Sequence, residues 1–287
     1  MPALGRFLFA APFAPVALAA LAAATLVPAG DAQAQATPPA SPRFTVDLEA
    51  GPAWQSRNIA ESPNDGTATR FSIEELAGRG PFPAGRLTLG WNPSERHGLR
   101  ILLAPLSIRE TATLQEEIRF EGETFEAGRA VEATYTFNSW RATYRYRFHE
   151  GAHTRAWVGG TAKVRDAVIA LDPRGTGGGP GEGPGGGDPP GPGGARYAEK
   201  TDLGFVPLLH LAGEWRPAAP WILAVEADGL AGGPGRAIDA ALTVGRELGD
   251  GWSLHAGYRT VEGGADIEEV YSFAWLHYAT VGVRWRR

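Results

Sequence analysis

The chain has 287 residues, with 27 Lys and Arg against 32 Asp and Glu and a formal net charge of −5. It has no Cys, which excludes a disulfide scaffold, a Cys-ligated metal centre and thiol chemistry. Mild acidity without basic stripes argues against nucleic-acid binding, and a mean hydropathy of −0.19 excludes a multi-helix membrane protein.

In chain order, residues 1–36 read as a secretory signal peptide. Arg6 is the positive start, 7–27 is apolar and rich in Ala and Leu, and Ala32-Gln33-Ala34 and Ala34-Gln35-Ala36 offer small residues for cleavage. Residues 37–42 form a Pro-rich linker. No uninterrupted apolar run of 18 residues follows, so no spanning helix is expected after cleavage.

From residue 43 the pattern has period two. In Phe44-Thr45-Val46-Asp47-Leu48-Glu49-Ala50 the even positions are apolar and the odd ones polar. Arg86-Leu87-Thr88-Leu89-Gly90-Trp91, Thr161-Ala162-Lys163-Val164-Arg165 and Thr280-Val281-Gly282-Val283-Arg284-Trp285 alternate as well. Strands are expected near 43–56, 82–92, 97–109, 129–148, 153–171, 199–215, 221–228, 235–247, 252–261 and 271–286. One short helical turn fits at 72–77. Short polar turns at 92–97, 149–153, 216–220 and 247–251 alternate with longer loops at 57–82, 110–128, 172–198, 229–235 and 262–270. Large rings gather beside the short turns: Trp91, Tyr144, Tyr146, Trp215, Trp221, Trp252 and Trp285. A soluble sandwich has no reason to place its rings at one end. A bilayer interface does, because each ring has an apolar face and a polar edge.

These features, with the C-terminal alternation Ala279, Val281, Val283 and Trp285, resemble small bacterial outer-membrane β-barrel proteins, including uncharacterised members. The resemblance implies an all-β, closed antiparallel transmembrane barrel of about ten strands (eight or twelve also fit) with both termini periplasmic. It also implies a Gram-negative outer-membrane location after signal cleavage, a porin-like wall and delivery by the barrel-insertion machinery. The expected partners are outer-membrane lipid and lipopolysaccharide. No cofactor, metal or nucleic acid is expected, and the chain is read as a monomer.

Two places depart from simple alternation. Parity changes near Asn138-Ser139, which predicts a β-bulge with Val131, Ala133, Tyr135 and Phe137 facing out. Pro105 and Pro207 fall inside strands and lack an N–H for the ladder, which makes them a candidate lateral gate for an acyl chain. A local kink is the plainer reading.

The remaining positions face the lumen. The acids are Asp47, Glu49, Glu132, Glu214, Glu226, Asp228 and Asp239. The bases are Arg86, Arg100, Arg141, Arg145, Arg147, Lys163, Arg165 and Arg259. So balanced a set predicts salt bridges across a narrow or plugged bore rather than an ion-selective pore. Arg141, Arg145 and Arg147 read as counter-charges, with an anion-binding vestibule as the alternative. None of the six His lies in a long loop or at an outer strand end, which argues against an outer-face His-dependent hydrolase. The segment 175–194 holds 12 Gly and 5 Pro and reads as a flexible external loop within 173–196. The expected role is therefore non-enzymatic: envelope structure, surface contact or slow passage of small solutes. The alternative is an outer-membrane lipid-modifying enzyme or protease.

Overall fold

The computed structural model describes residues 42–173, 195–233 and 235–287. The signal peptide, all but the last residue of the 37–42 linker, and 174–194 of the Gly/Pro-rich loop lie outside the described residues. The chain begins with β1 (Phe44–Glu61), β2 (Phe71–Ser72), helical turn α1 (Ile73–Leu76), β3 (Phe82–Trp91), β4 (His97–Ala104) and β5 (Ser107–Thr113). A small hairpin of β6 (Ile118–Phe120) and β7 (Glu123–Phe125) precedes the long β8 (Ala130–Glu150). Then come β9 (Thr154–Asp172), β10 (Ala198–Trp215), β11 (Trp221–Gly232), β12 (Gly235–Gly249), β13 (Trp252–Ile267) and β14 (Val270–Arg286).

Among the described residues these make a closed antiparallel barrel of ten strands, with β4 and β5 acting as one interrupted strand along β8. Closure is made by β1 on β14, from Thr45↔Arg286 to Glu61↔Tyr271. Pairing the first strand with the last closes the sheet on itself, leaving, among the described residues, β5 paired only with β8 and residues 198–208 of β10 only with β9. The start of β1 meets the C-terminus beside the short turns: the Phe44 N–H donates to Arg287 O at 2.8 Å. The 247–251 turn is tight because Asp250 (φ 51°) and Gly251 (φ 80°) take the left-handed conformations that a two-residue hairpin needs.

The outer face is apolar. Leu203 is 76% exposed, Phe205 69%, Leu209 66% and Val281 65%. Side chains of this size left uncovered all round a closed wall mark a surface whose solvent is not water. No helix among the described residues is long and apolar enough to cross a membrane.

The interior has two storeys. Toward the short turns it is ionic. Toward the long loops it is one buried apolar cluster, including Ala53, Val131, Tyr135, Phe137, Leu171, Val261, Leu276 and Tyr278 from the wall. Phe71 and Ile73 from β2 and α1, Leu106 and Ile108 from the Pro105 break and β5, and Phe120 and Phe125 from the β6–β7 hairpin complete it. Ser72 caps α1 by accepting the Glu75 N–H, which fixes that turn where the sequence places it.

This arrangement corrects the reading of β8. Its register against β9 runs unbroken from Glu132↔Asp172 to Arg147↔Trp157 and shifts only between Arg147 and His149. There is no bulge at Asn138-Ser139. Val131, Ala133, Tyr135 and Phe137 share the buried inner face with Ser139, Arg141, Thr143 and Arg147. The apparent change of parity is a change of lining chemistry with depth. Two loops are also shorter than expected. β11 and β12 pair up to Gly232↔Gly235, and β13 and β14 up to Ile267↔Val270, so 229–235 and 262–270 are mostly strand. Gly229, Gly232 and Gly235 look like loop signals but sit within paired backbone.

Candidate functional site

The strand period aims alternate side chains into the bore, and in the lower storey they meet as a matched set. Arg141 on β8 reaches Asp228 on β11 at 3.1 Å and Asp239 on β12 at 2.5 Å. Asp239 also accepts from Arg259 on β13 and lies 3.6 Å from Arg86 on β3. Arg86 is 3.6 Å from Glu49, and Arg100 on β4 bonds Glu226 at 2.7 Å. One aspartate thus ties opposite sides of the wall together. Buried charges of this kind persist only when matched.

Below this knot a cavity of about 120 Å³ opens among Asp47, Arg100, Arg145, Trp157, Glu214 and Arg284. The three arginines of β8 divide there. Arg141 is in the knot, and Arg147 bonds Glu150 at 2.7 Å. Arg145 lies 5.0 Å over the Trp157 ring, and among the described residues its Nε has no hydrogen-bond partner. Glu214 is bridged by Arg286 at 3.3 Å and Arg216 at 2.8 Å. In the turn, burial pulls the Arg216 guanidinium down, but Glu214 and Glu247 outweigh it and hold it above its ordinary value. Arg165 pairs with Asp202. Lys163 points at the storey boundary, its Nζ 4.7 Å over Phe137.

Glu132 is not in the lumen. It shares the outward parity of Thr134 and Trp140 and lies 3.5 Å from Arg109. The slip that put a bulge at 138–139 also assigned the wrong face to Glu132.

Several lumen groups were absent from the sequence reading. His255 Nε2 lies 2.8 Å from Asp47, which also accepts from Arg284 at 2.8 Å. Gly282 leaves room for that imidazole, since a Cβ there would lie 2.5 Å from the ring. His210, wholly buried, has its Nδ1 2.8 Å from Asp228. Strand parity alone places His210, His255, Arg284 and Arg286 inward. His210, Glu226 and Asp228 bring ligand-type atoms within 4.8 Å of one another. Asp228 already accepts from Arg141 and Thr161, and Glu226 from Arg100. A dication there would displace guanidinium groups from both acids, so the donor set suits ion pairing better than metal binding.

The rings named from the sequence stand at the short-turn end. Trp91, Tyr144, Trp215, Trp221 and Trp252 are exposed, and Tyr146 and Trp285 are partly so. Trp252 and Trp285 lie side by side at 6.5 Å, and Tyr144 bonds His97 at 2.7 Å. The two prolines stand where a ladder stops. β3–β4 pairing ends at Leu87↔Leu103, and beyond Pro105 β5 pairs β8 alone. β10–β11 pairing begins at Leu209↔Gly229, two residues past Pro207. Pro105 thus lies between β4 and β5, and Pro207 lies short of the β10–β11 ladder while it stays paired with Ala162 on β9. The cavity beside Pro105 is about 10 Å³, far too small for an acyl chain.

No protein-family model and no curated protein sequence matches this chain. Solved structures similar to it are bacterial outer-membrane barrels. The outer membrane protease OmpT from Escherichia coli matches at TM-score 0.45 and 8% identity, over 85% of this chain and 96% of that one. Neisserial surface protein A (NspA) matches at 0.34 and 12%, over 85% and 97%. Ail, the attachment invasion locus protein of Yersinia pestis, matches at 0.34 and 9%, over 84% and 99%. At these values nothing is carried over from them, and the closed barrel stands on its own strand pairing.

Proposed function

We propose that this chain is a bacterial outer-membrane barrel that does not conduct, and whose working surfaces are its outer wall and its long-loop end. The observation that carries the reading is the filled bore. The knot around Asp239 crosses the lower storey, and the apolar cluster above it draws side chains from both sides of the wall. Slow solute passage is disfavoured because a permeating ion would have to cross both layers. Envelope structure and surface contact remain as the roles of the barrel itself. The exposed apolar band supports an outer-membrane location. The rings beside the short turns suit an interface on the periplasmic side, and on this reading the start of β1 and the C-terminus lie there.

The test is single-channel recording with the purified mature chain in planar bilayers. Silent bilayers are expected, and steady unitary currents overturn the reading. An Arg141→Ala/Asp239→Ala double variant is also expected to be silent, because the apolar storey is untouched.

A further inference from the structure

Outside the lumen, one polar cluster joins Ser56 of β1, His277 of β14 and Tyr258 of β13 on the outward face. Ser56, exposed on β1, places its Oγ 2.8 Å from Nε2 of His277 on β14. Across the same ring, Nδ1 lies 2.6 Å from the Tyr258 hydroxyl of β13. Thr260 Oγ1 is farther from Nδ1, at 3.4 Å, and already accepts the Trp275 Nε1–H at 2.7 Å. With the proton on Nδ1, the imidazole donates to Tyr258 and its Nε2 lone pair accepts the Ser56 hydroxyl. Nucleophile, base and orienting group then form one hydrogen-bonded chain, with the Trp275 carbonyl a second, longer acceptor for the Ser56 hydroxyl at 3.5 Å.

A second observation comes from the backbone. The β1–β14 ladder slips here: Gln55 pairs with Leu276 and Arg57 with Trp275, so Ser56 is the extra residue of a bulge. Bulges re-aim side chains. This one leaves Gln55 buried inward and turns both Ser56 and Arg57 outward. The Arg57 guanidinium donates to the Tyr271 hydroxyl at 3.2 Å and lies 5.6 Å from the Phe273 ring centroid. Among the described residues it has no carboxylate within 4.0 Å. His277 stands about 20 Å above the Trp285 ring, from strand rise and tilt, near the far rim of an apolar band about 25 Å tall. The rim of such a band lies next to water and lipid head groups.

The geometry points to a serine ester-hydrolase site on the outer wall, acting on the acyl ester of an anionic lipid. Ser56 Oγ adds to the ester carbonyl and its proton passes to His277 Nε2. The tetrahedral adduct expels the lipid alkoxide, which takes that proton, and the acyl group stays on Ser56. Water then adds to the acyl-serine, again losing a proton to Nε2. Collapse returns that proton to Ser56 Oγ and releases the fatty acid. Arg57 attracts the head-group phosphate and so orients the ester beside Ser56. With Tyr258 in place of a carboxylate behind the imidazole, turnover is slow.

The inference rests on the outer wall facing lipid, but its first test does not depend on whether the bore conducts. The mature chain, folded in detergent micelles, is treated with a fluorophosphonate probe and its peptides are weighed. Fatty-acid release is then measured from phosphatidylglycerol vesicles and, in a separate arm, from lipopolysaccharide. The label is expected on Ser56 and is lost in Ser56→Ala. His277→Gln is expected to slow labelling and release by about a hundredfold or more, as loss of a general base does. Release from one lipid alone identifies the source of the ester. An unlabelled Ser56 in a wild-type barrel that migrates as folded overturns the proposal, as does equal release by Ser56→Ala. Both side chains lie outside the wall, and heat-modifiable migration checks that each variant is folded.

Discussion

The two storeys of the interior are lined by the same strands and held together by different physics. On β8, Val131, Ala133, Tyr135 and Phe137 line the upper half, and Ser139, Arg141, Thr143 and Arg147 the lower. The upper half is stabilised by removing apolar surface from water, about 1.5–3 kcal/mol for each large side chain fully buried. The lower half takes charges out of water and recovers that cost only while every charge is matched. The apolar storey therefore degrades gradually under mutation, and the ionic storey fails at single points.

Asp239 is the sharpest place to break that contrast. Asp239→Ala takes a carboxylate from Arg141, Arg86 and Arg259 at once; Arg141 keeps Asp228 and Arg86 keeps Glu49, but Arg259 loses its ion pair, and the expected loss is about 3–5 kcal/mol. Urea unfolding in micelles, followed by Trp fluorescence, measures it. In the upper storey Phe120→Ala is expected to cost about 3 kcal/mol, less than Asp239→Ala because the β6–β7 hairpin can settle into the space. A reversal of that order would mean that the ionic knot is not the brittle half. Gly282→Ala sets a Cβ 2.5 Å from the His255 ring and should cost about 1–2 kcal/mol by pushing the imidazole off Asp47. Glu132→Gln, acting on an outward and partly exposed pair with Arg109, should change stability by about 0.5 kcal/mol or less. A large effect there would return Glu132 to the lumen.

Much of the wall was legible in the chain because a strand's side-chain period is two and the period survives any register. The turns at 92–97, 149–153, 216–220 and 247–251 and most strand bounds follow from it. What misled was the assumption that the outward face is the apolar one along the whole strand. That holds for Leu203 and Phe205. It fails above Asn138, where the long loops cover the mouth and the inner face becomes the dry one. The same assumption produced a bulge at 138–139 and missed the real shift at 55–57, where Gln55-Ser56-Arg57-Asn58 is polar throughout and carries no parity signal. Strand parity puts His277 outward, opposite the buried Leu276 and Tyr278. Its partner Ser56 lies 221 positions away, and only barrel closure brings the two together.

The amino-acid order by itself determined that this is an alternating, all-strand chain with aromatic rings at one end and charges on one parity, because those properties are local. Tertiary structure alone decided which charges meet, where the lining turns from ionic to apolar, and the register in which the first and last strands join. Each of those depends on residues on different strands sharing one depth in the wall, and depth is set by closure and stagger rather than by any stretch of sequence.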